Sequence, residues 1–344
     1  RERLYFQGRL TKPIEYRVVL TRGFITQQDI LDAYLTFRIA DDRLQARIGR
    51  YRVPFSYEWW MEMNQYFINP ERSLFAVNFG LNRMFGGALT GKLWEDRFDY
   101  AVGIFNGPRN SFEDYNNSKD VIAYLNLRPW ADSKEFEFLK YLNIGGSVDY
   151  GNQDNPALPQ YFRASANASV NPAVIRISPP FLALNNNVIE SGIRSQWSVH
   201  AAYFYKRLSF ITEWQAGAAG YALSTSKDRR TKVPFGGFYA QAGYFLTGEE
   251  VKDRSMVKPL KPFSLKRNKF GLGAFELAAR VSTLNIGPQV FTAGFADPNL
   301  WTRNVVSTDV GMNWYLNQYI KVLFDWEYAQ MGDPVLMSPG HSTP

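Results

Sequence analysis

Apolar and polar residues alternate along almost the whole chain with a period of two, the repeat of a half-buried strand. In "VIAYLNLRPW", Val121, Ala123, Leu125 and Leu127 share one side, opposite Tyr124, Asn126 and Arg128. In "YIKVLFDWEYA", Ile320, Val322, Phe324, Trp326 and Tyr328 oppose Lys321, Leu323, Asp325 and Glu327. The pattern recurs in "IEYRVVLTR", "ILDAYLTFRIA", "RLQARIGRY", "RMFGGALTGKLW", "FDYAVGIF", "YLNIGGSVDY", "IRSQWSVHAAYFY", "LSFITEWQAG", "GFYAQAGYFLTG", "GAFELAARVSTL" and "STDVGMNWYL". The opening "RERLYFQGRL" alternates too, with Arg1, Arg3, Tyr5, Gln7 and Arg9 against Leu4, Phe6 and Leu10. Its segment Glu2 to Gly8 also fits the recognition pattern of a plant-virus protease, which would cut an unfolded chain between Gln7 and Gly8. Parity and the Pro-containing turn that follows place the segment among the strands. The pattern thus predicts about fourteen strands of roughly 8 to 13 residues each.

The connections sort by length. Thr11-Lys12-Pro13, Asp41-Asp42, Lys206-Arg207 and Leu316-Asn317-Gln318 are tight turns at one end of the strand pairs. Segments 53–82, 106–119, 151–192 and 286–303 are long and belong to the other end. Outer-membrane barrels have this asymmetry, with short periplasmic turns and long outer loops. The Lys- and Pro-rich segment 248–268 breaks it, because a short turn is expected there. No repeat larger than the hairpin and no linker divides the chain, so 1–344 reads as a single domain.

Aromatic residues make up 16% of the chain and charged residues 21%. That many rings at ordinary charge content suits strands with one apolar and one wet face, Trp and Tyr lying near strand ends as interfacial girdles require. A soluble sandwich would alternate similarly, but fourteen antiparallel strands with no helix between them need closure to remove their edges. The fold class is therefore all-β, a transmembrane antiparallel β-barrel. No run of eighteen apolar residues occurs, which excludes a membrane helix. Cysteine is absent, and with it disulfides and thiolate chemistry. The net charge of +7 favours anionic partners. Its dispersal over many strands argues against nucleic acid.

Several stretches resemble the phosphate-selective porin family (porin O/P): "GRYRVPFS" (Gly49 to Ser56), "YAVGIFNG" (Tyr100 to Gly107), "GFYAQAGYFLTGE" (Gly237 to Glu249), "GAFELAARVSTL" (Gly273 to Leu284) and "GMNWYLNQYIKV" (Gly311 to Val322). They keep the family's order and span almost the whole chain, with 151–192 the least similar part. The resemblance implies an outer-membrane, homotrimeric anion channel of about sixteen antiparallel strands, with the loop after "GRY…PFS" folded into the lumen. On that pattern "RERLYFQGRLTKPIEYRVVL" matches the second and third strands, and the chain stops in "MSPGHSTP" where the family ends in a strand with a terminal aromatic. The resemblance implies one further strand at each end, beyond the residues given.

Strand parity turns Arg1, Arg3, Arg9, Arg17, Arg38, Arg43, Arg47, Arg128, Arg194, Arg280 and Lys321 inward. A guanidinium suits an oxyanion because its planar fork donates two hydrogen bonds and desolvates more readily than an ammonium. Each site must also release its ion, which limits binding to roughly 4 kcal/mol, or about millimolar. Glu15, Asp32, Asp99, Asp149, Glu213, Glu276, Asp325 and Glu327 share the inward face, so pairing across the wall is the commoner fate of any single arginine. The resemblance aligns Arg1 with an arginine of the family's pore ladder. It also places arginines in the fifth loop, where this chain offers Arg163 and Arg176. In the expected constriction loop, 53–82, Arg72 and the preceding Arg52 accompany Trp59, Trp60, Tyr66 and Phe67. Most of these rings are expected to pack the loop on the wall.

Catalysis finds no support. His200 lies alone on a strand and His341 in the trailing segment, neither beside a second ligand or triad partners. The glycines of "GGALTG" and "FGLGAF" fall in strands with no helix behind them to bind phosphate. No cofactor or metal is implied. The expected partners are small anions such as phosphate, membrane lipid and two further copies of the chain. A different class remains open, an envelope barrel that serves as a structural or partner-binding element through 151–192 and 248–268. A soluble sandwich that binds anionic glycans is third.

Overall fold

In the computed structural model, which describes residues 2–22, 29–164, 180–333, 335–338 and 341–342, the alternating segments pair as one antiparallel sheet of fourteen strands. Eight strands lead: β1 (Glu2–Thr11), β2 (Ile14–Arg22), β3 (Asp29–Ala40), β4 (Leu44–Arg52), β5 (Arg83–Leu93), β6 (Phe98–Phe105), β7 (Asp120–Leu127) and β8 (Tyr141–Pro156). Next, β9 (Tyr161–Arg163) and β10 (Pro180–Ala183) form a separate ribbon. The sheet resumes with β11 (Val188–Tyr205), β12 (Leu208–Leu223), β13 (Ser226–Phe245), β14 (Ala274–Ile286), β15 (Asn304–Tyr315) and β16 (Lys321–Met331). A terminal ribbon of β17 (Leu336–Ser338) and β18 (His341–Ser342) follows. Every sheet strand pairs with its neighbours in the chain, and β1 and β16 have one sheet partner each among the described residues. The opening segment forms a wall strand, β1, in register with β2 from Glu2 opposite Arg22 to Arg9 opposite Glu15.

Two expectations change. Four strands exceed the expected length: β8 and β12 have 16 residues, β11 18 and β13 20. Gly151 to Asn155 has the composition of a loop, yet it pairs with β11. The polar side chains of that stretch face a polar interior, where Gln153 donates to Asp120 at 2.7 Å and Asn155 to Glu190 at 3.3 Å. Connection lengths also alternate less cleanly than the sequence suggests. Only residues 224–225 join β12 to β13 at the long-loop end, and 128–140 is long at the other, in addition to the exception expected around 248–268, which spans 246–273.

The two faces of the sheet are inverted relative to a water-soluble protein. Ile48, Leu89, Val102, Ile104, Val121, Leu125, Val199, Val310 and Phe324 are exposed on the convex face. Asp99, Asn126, Asp149, Gln196, Glu213, Gln241, Glu276 and Asp309 are buried on the concave one. At about 25 cal/mol per Å², leaving such a band in water would oppose folding, and lipid removes that cost.

Residues 53–82, between β4 and β5, occupy the concave side. They contain α1 (Tyr57–Trp60), a 3₁₀ turn at Asn64–Tyr66 and α2 (Leu74–Asn78). Ser56 Oγ accepts from the Trp59 amide at 3.1 Å and caps α1. Ser73 Oγ does the same for α2 through the Ala76 amide. Gly80 lets the loop close, because a Cβ there would lie 2.0 Å from Trp59 Nε1. Phe75 and Phe79 join Phe162, Phe181, Phe235 and Phe295 in the main apolar cluster, with Phe79 and Phe235 stacked at 3.9 Å. The core therefore sits within the curve of the sheet.

Candidate functional site

The loop is fastened to the wall by charged and polar groups. The Ser56 amide donates to Ser147 Oγ of β8 and the Tyr57 amide to Glu213 of β12, both at 2.9 Å. Asn313 donates to the Ile68 carbonyl at 2.7 Å and Lys321 Nζ to the Phe67 carbonyl at 2.6 Å. Arg280 Nη1 donates to the Glu71 carbonyl at 2.6 Å and Arg254 Nε to the Tyr66 carbonyl at 3.1 Å. Within the loop, burial and the nearby Glu58 push the Glu62 carboxyl up to about 8. Burial also pulls the Arg72 guanidinium down to about 10. These contacts engage β8, β12 and β14 to β16, whereas on the loop's other flank Trp60 and Met63 border residues of β2 to β4.

Most of the arginines expected inward are paired. Arg194 is wholly buried and donates to Asp120, to Asp149 at 3.2 Å, to Glu190 at 3.3 Å and to the Gly107 carbonyl at 2.6 Å. Arg280 pairs with Asp309 at 2.9 Å, Arg128 with Asp99 at 3.5 Å, and Arg38 with Glu15 at 3.0 Å. Arg9 also meets Glu15, and Arg43 lies in the β3–β4 turn rather than on a strand. Arg72 donates to the Glu58 carbonyl and to Asn64, and lies 3.8 Å from the Trp59 ring centroid and 4.6 Å from that of Phe67. That arrangement is internal bracing of the loop. Arg52 donates to the Glu62 carbonyl at 2.8 Å. Arg163 lies on β9, its backbone bonded to Asn78. Arg1 and Arg176 lie outside the described residues.

Arg17 and Arg47 differ. No carboxylate pairs with either among the described residues, and the buried Nε of each finds no acceptor there. Arg47 is held by rings instead, 4.7 Å from the Tyr34 centroid, 5.3 Å from Tyr51 and 5.6 Å from Trp60. Arg17 lies 5.3 Å from the Tyr5 ring. Such stacking orients a guanidinium without satisfying its in-plane donors. Two cavities meet at this pair. One, of about 360 Å³, is bordered by Gln7, Arg9, Glu15, Arg17, Tyr34 and Arg47. The second, of about 230 Å³, shares Arg17, Tyr34 and Arg47 and adds Asp32, Arg52 and Trp60. Even the smaller has room for several waters, and so for a partly hydrated ion. Arg3 shares the β1 wall, and its buried Nε likewise lacks an acceptor among the described residues.

Sequence parity missed three interior cations. Arg83 pairs with Asp32 at 2.6 Å, and Arg254 with Glu276 at 2.6 Å. Arg109 lies 3.9 Å from Glu190, its guanidinium pulled below the ordinary range by burial. Arg109 and Arg254 are in connections, where parity carries no information. Arg83 sits at a strand end.

The family model for phosphate-selective porin O and P matches residues 1–331. No curated protein matches the sequence. Among solved structures, the fold is similar to the anion-selective porin from Comamonas acidovorans (TM-score 0.54, 10% identity, 96% of this chain and 79% of that one covered). It is similar as well to the outer-membrane channel DcaP of Acinetobacter baumannii (TM-score 0.52, 10% identity, coverage 96% and 78%). A third likeness is to OmpT of Vibrio cholerae in its trimer form (TM-score 0.51, 8% identity, coverage 96% and 80%). At these identities the likeness is one of fold.

Proposed function

Because the chain belongs to the phosphate-selective porin O and P family, and is therefore an integral outer-membrane porin with anion preference, we propose that small oxyanions, phosphate among them, pass between the 53–82 loop and β1–β4, over Arg17 and Arg47. The carrying observation is the pair of cavities that share these two arginines, each free of a carboxylate partner among the described residues. An ion leaving water meets Arg17, Arg47 and then Arg52, with Tyr34 and Trp60 to dry the path. Each guanidinium replaces part of the hydration shell, and Glu15 and Asp32 in the same cavities keep binding weak enough for release. In the same reading Arg3 extends the line along β1, whereas Arg38, Arg72, Arg128, Arg194, Arg280 and Lys321 hold the wall and loop in shape. Three copies would assemble, as in the trimer form of OmpT.

Single-channel recording tests this. Chloride current through the wild type should fall as phosphate is added, and the double substitution Arg17→Gln, Arg47→Gln should raise the half-blocking concentration at least tenfold. Cation selectivity, or block unchanged in the double variant, would overturn the assignment. The packed Phe75–Phe79 cluster within the curve of the sheet favours the alternative of a structural or partner-binding barrel. Absence of any conductance would support it.

A further inference from the structure

The long connection at the short-turn end, 246–273, straddles the rim of the sheet. Its first half turns inward, where Arg254 reaches Glu276, Ser209 and Tyr315. The second half turns outward. Phe263 packs edge-on against Trp314 at 5.4 Å, and Trp314 Nε1 donates to the Leu272 carbonyl at 2.6 Å. Trp314 itself stacks on Phe275 at 5.9 Å, and both belong to the convex, lipid-facing set with Leu277 and Met312. The segment is a built hairpin: Ser264 and Gly271 exchange both backbone hydrogen bonds, at 2.8 and 3.0 Å, and the Lys269 amide donates to the Lys266 carbonyl at 2.9 Å. The Gly273 amide closes it on Lys261 at 3.0 Å.

Its exposed surface combines two kinds of side chain. Leu265 is 75% exposed, Phe270 61% and Leu272 52%, which a water-facing turn would not favour. Lys258, Lys261, Lys266, Arg267 and Lys269 are exposed as well, without an ion pair among the described residues. No acid occurs between Arg254 and Phe275 to balance them. Apolar side chains continuous with the lipid-facing wall, ringed by unopposed bases, have the composition of an interfacial anchor.

We propose that the 263–272 hairpin inserts Leu265 and Phe270 into the periplasmic leaflet and binds anionic phospholipid headgroups through Lys266, Arg267 and Lys269. The ligand class is a phosphodiester lipid of net negative charge. The site lies outside the lumen and does not depend on which ion is conducted. It gives the unexpectedly long connection a purpose, since a short turn offers neither the apolar depth nor the charge.

The chain has no cysteine, so Leu265→Cys accepts a single environment-sensitive dye. In nanodiscs of phosphatidylcholine with phosphatidylglycerol, the dye should emit as in an apolar setting and be quenched by lipids brominated near the headgroup. Co-purification of phosphatidylglycerol over phosphatidylcholine should fall by about fivefold for each base removed in Lys266→Gln, Arg267→Gln and Lys269→Gln. A dye that stays water-exposed and unquenched, or lipid preference unchanged in the triple variant, would overturn the proposal, whatever an acidic soluble protein does at the same surface. Phosphate block recorded on the triple variant separates the two readings: its loss concerns conduction, and its persistence with lost lipid preference concerns the anchor alone.

Discussion

Two arginines with the same strand parity have opposite environments, and the contrast sets the residue-scale expectations. Arg194 lies among Asp120, Asp149 and Glu190, with 0% side-chain exposure. Removing it leaves Asp120 and Asp149 buried without an ion-pair partner among the described residues, and Glu190 with Arg109 alone. Arg194→Gln should therefore destabilise the fold by about 3–5 kcal/mol, seen as a lower unfolding midpoint in urea. Arg47→Gln removes only ring contacts and an unsatisfied donor, so its midpoint should stay within about 1 kcal/mol while phosphate block weakens. Parity made both inward-facing and went no further. Which carboxylates converge on which guanidinium depends on pairs far apart in the chain, such as Arg194 and Asp120, 74 positions apart. Arg50 shows the opposite limit. Alternation turns it toward lipid, yet it is buried, its guanidinium 4.1 Å from the Phe112 ring centroid and donating to the Asn110 carbonyl. The 106–119 connection folds over the convex face to cover it.

At the scale of elements, the 53–82 loop was legible in its limits but not in its anchoring. Its bounds coincide with the end of β4 and the start of β5. The aromatic content signals packing, and Trp59 does pack, donating Nε1 to the Ala76 carbonyl at 3.1 Å. Nothing in the sequence shows that two loop amides point at Glu213, or that Glu62 faces Gln241. That placement has a pH consequence. The Glu62 carboxyl is raised by burial, from an ordinary 4.5 to about 8, so the docked loop holds a proton that a released loop would lose. The resulting stabilisation is complete below about pH 4.5 and disappears as pH rises through about 8. Loop docking should therefore loosen across that window, read as increasing protease cleavage between residues 61 and 71. Glu62→Gln should flatten this dependence, and an unchanged slope in that variant would show that Glu62 is not its source.

For the whole molecule, alternation determined the fold because a barrel wall makes each residue choose between lipid and lumen. That choice is visible one strand at a time, which is why fourteen strands could be counted before any pairing was known. Strand length was less legible, since polar lumenal stretches such as Gly151 to Asn155 resemble loops in composition. Charge works on the same large scale. The net charge of +7 acts on ions at a distance through its diffuse field, whereas Arg17 and Arg47 act by contact. Salt separates the two, with a screening length of about 10 Å at 0.1 M and about 3 Å at 1 M. Reversal potentials in KCl gradients should therefore show anion preference declining as salt is raised toward 1 M, then levelling off above unity. The remainder is the contact term, and Arg17→Gln with Arg47→Gln should abolish it while leaving the low-salt preference largely in place. Selectivity lost entirely at high salt in the wild type would mean that the diffuse field alone discriminates, with no ion held at the arginine pair.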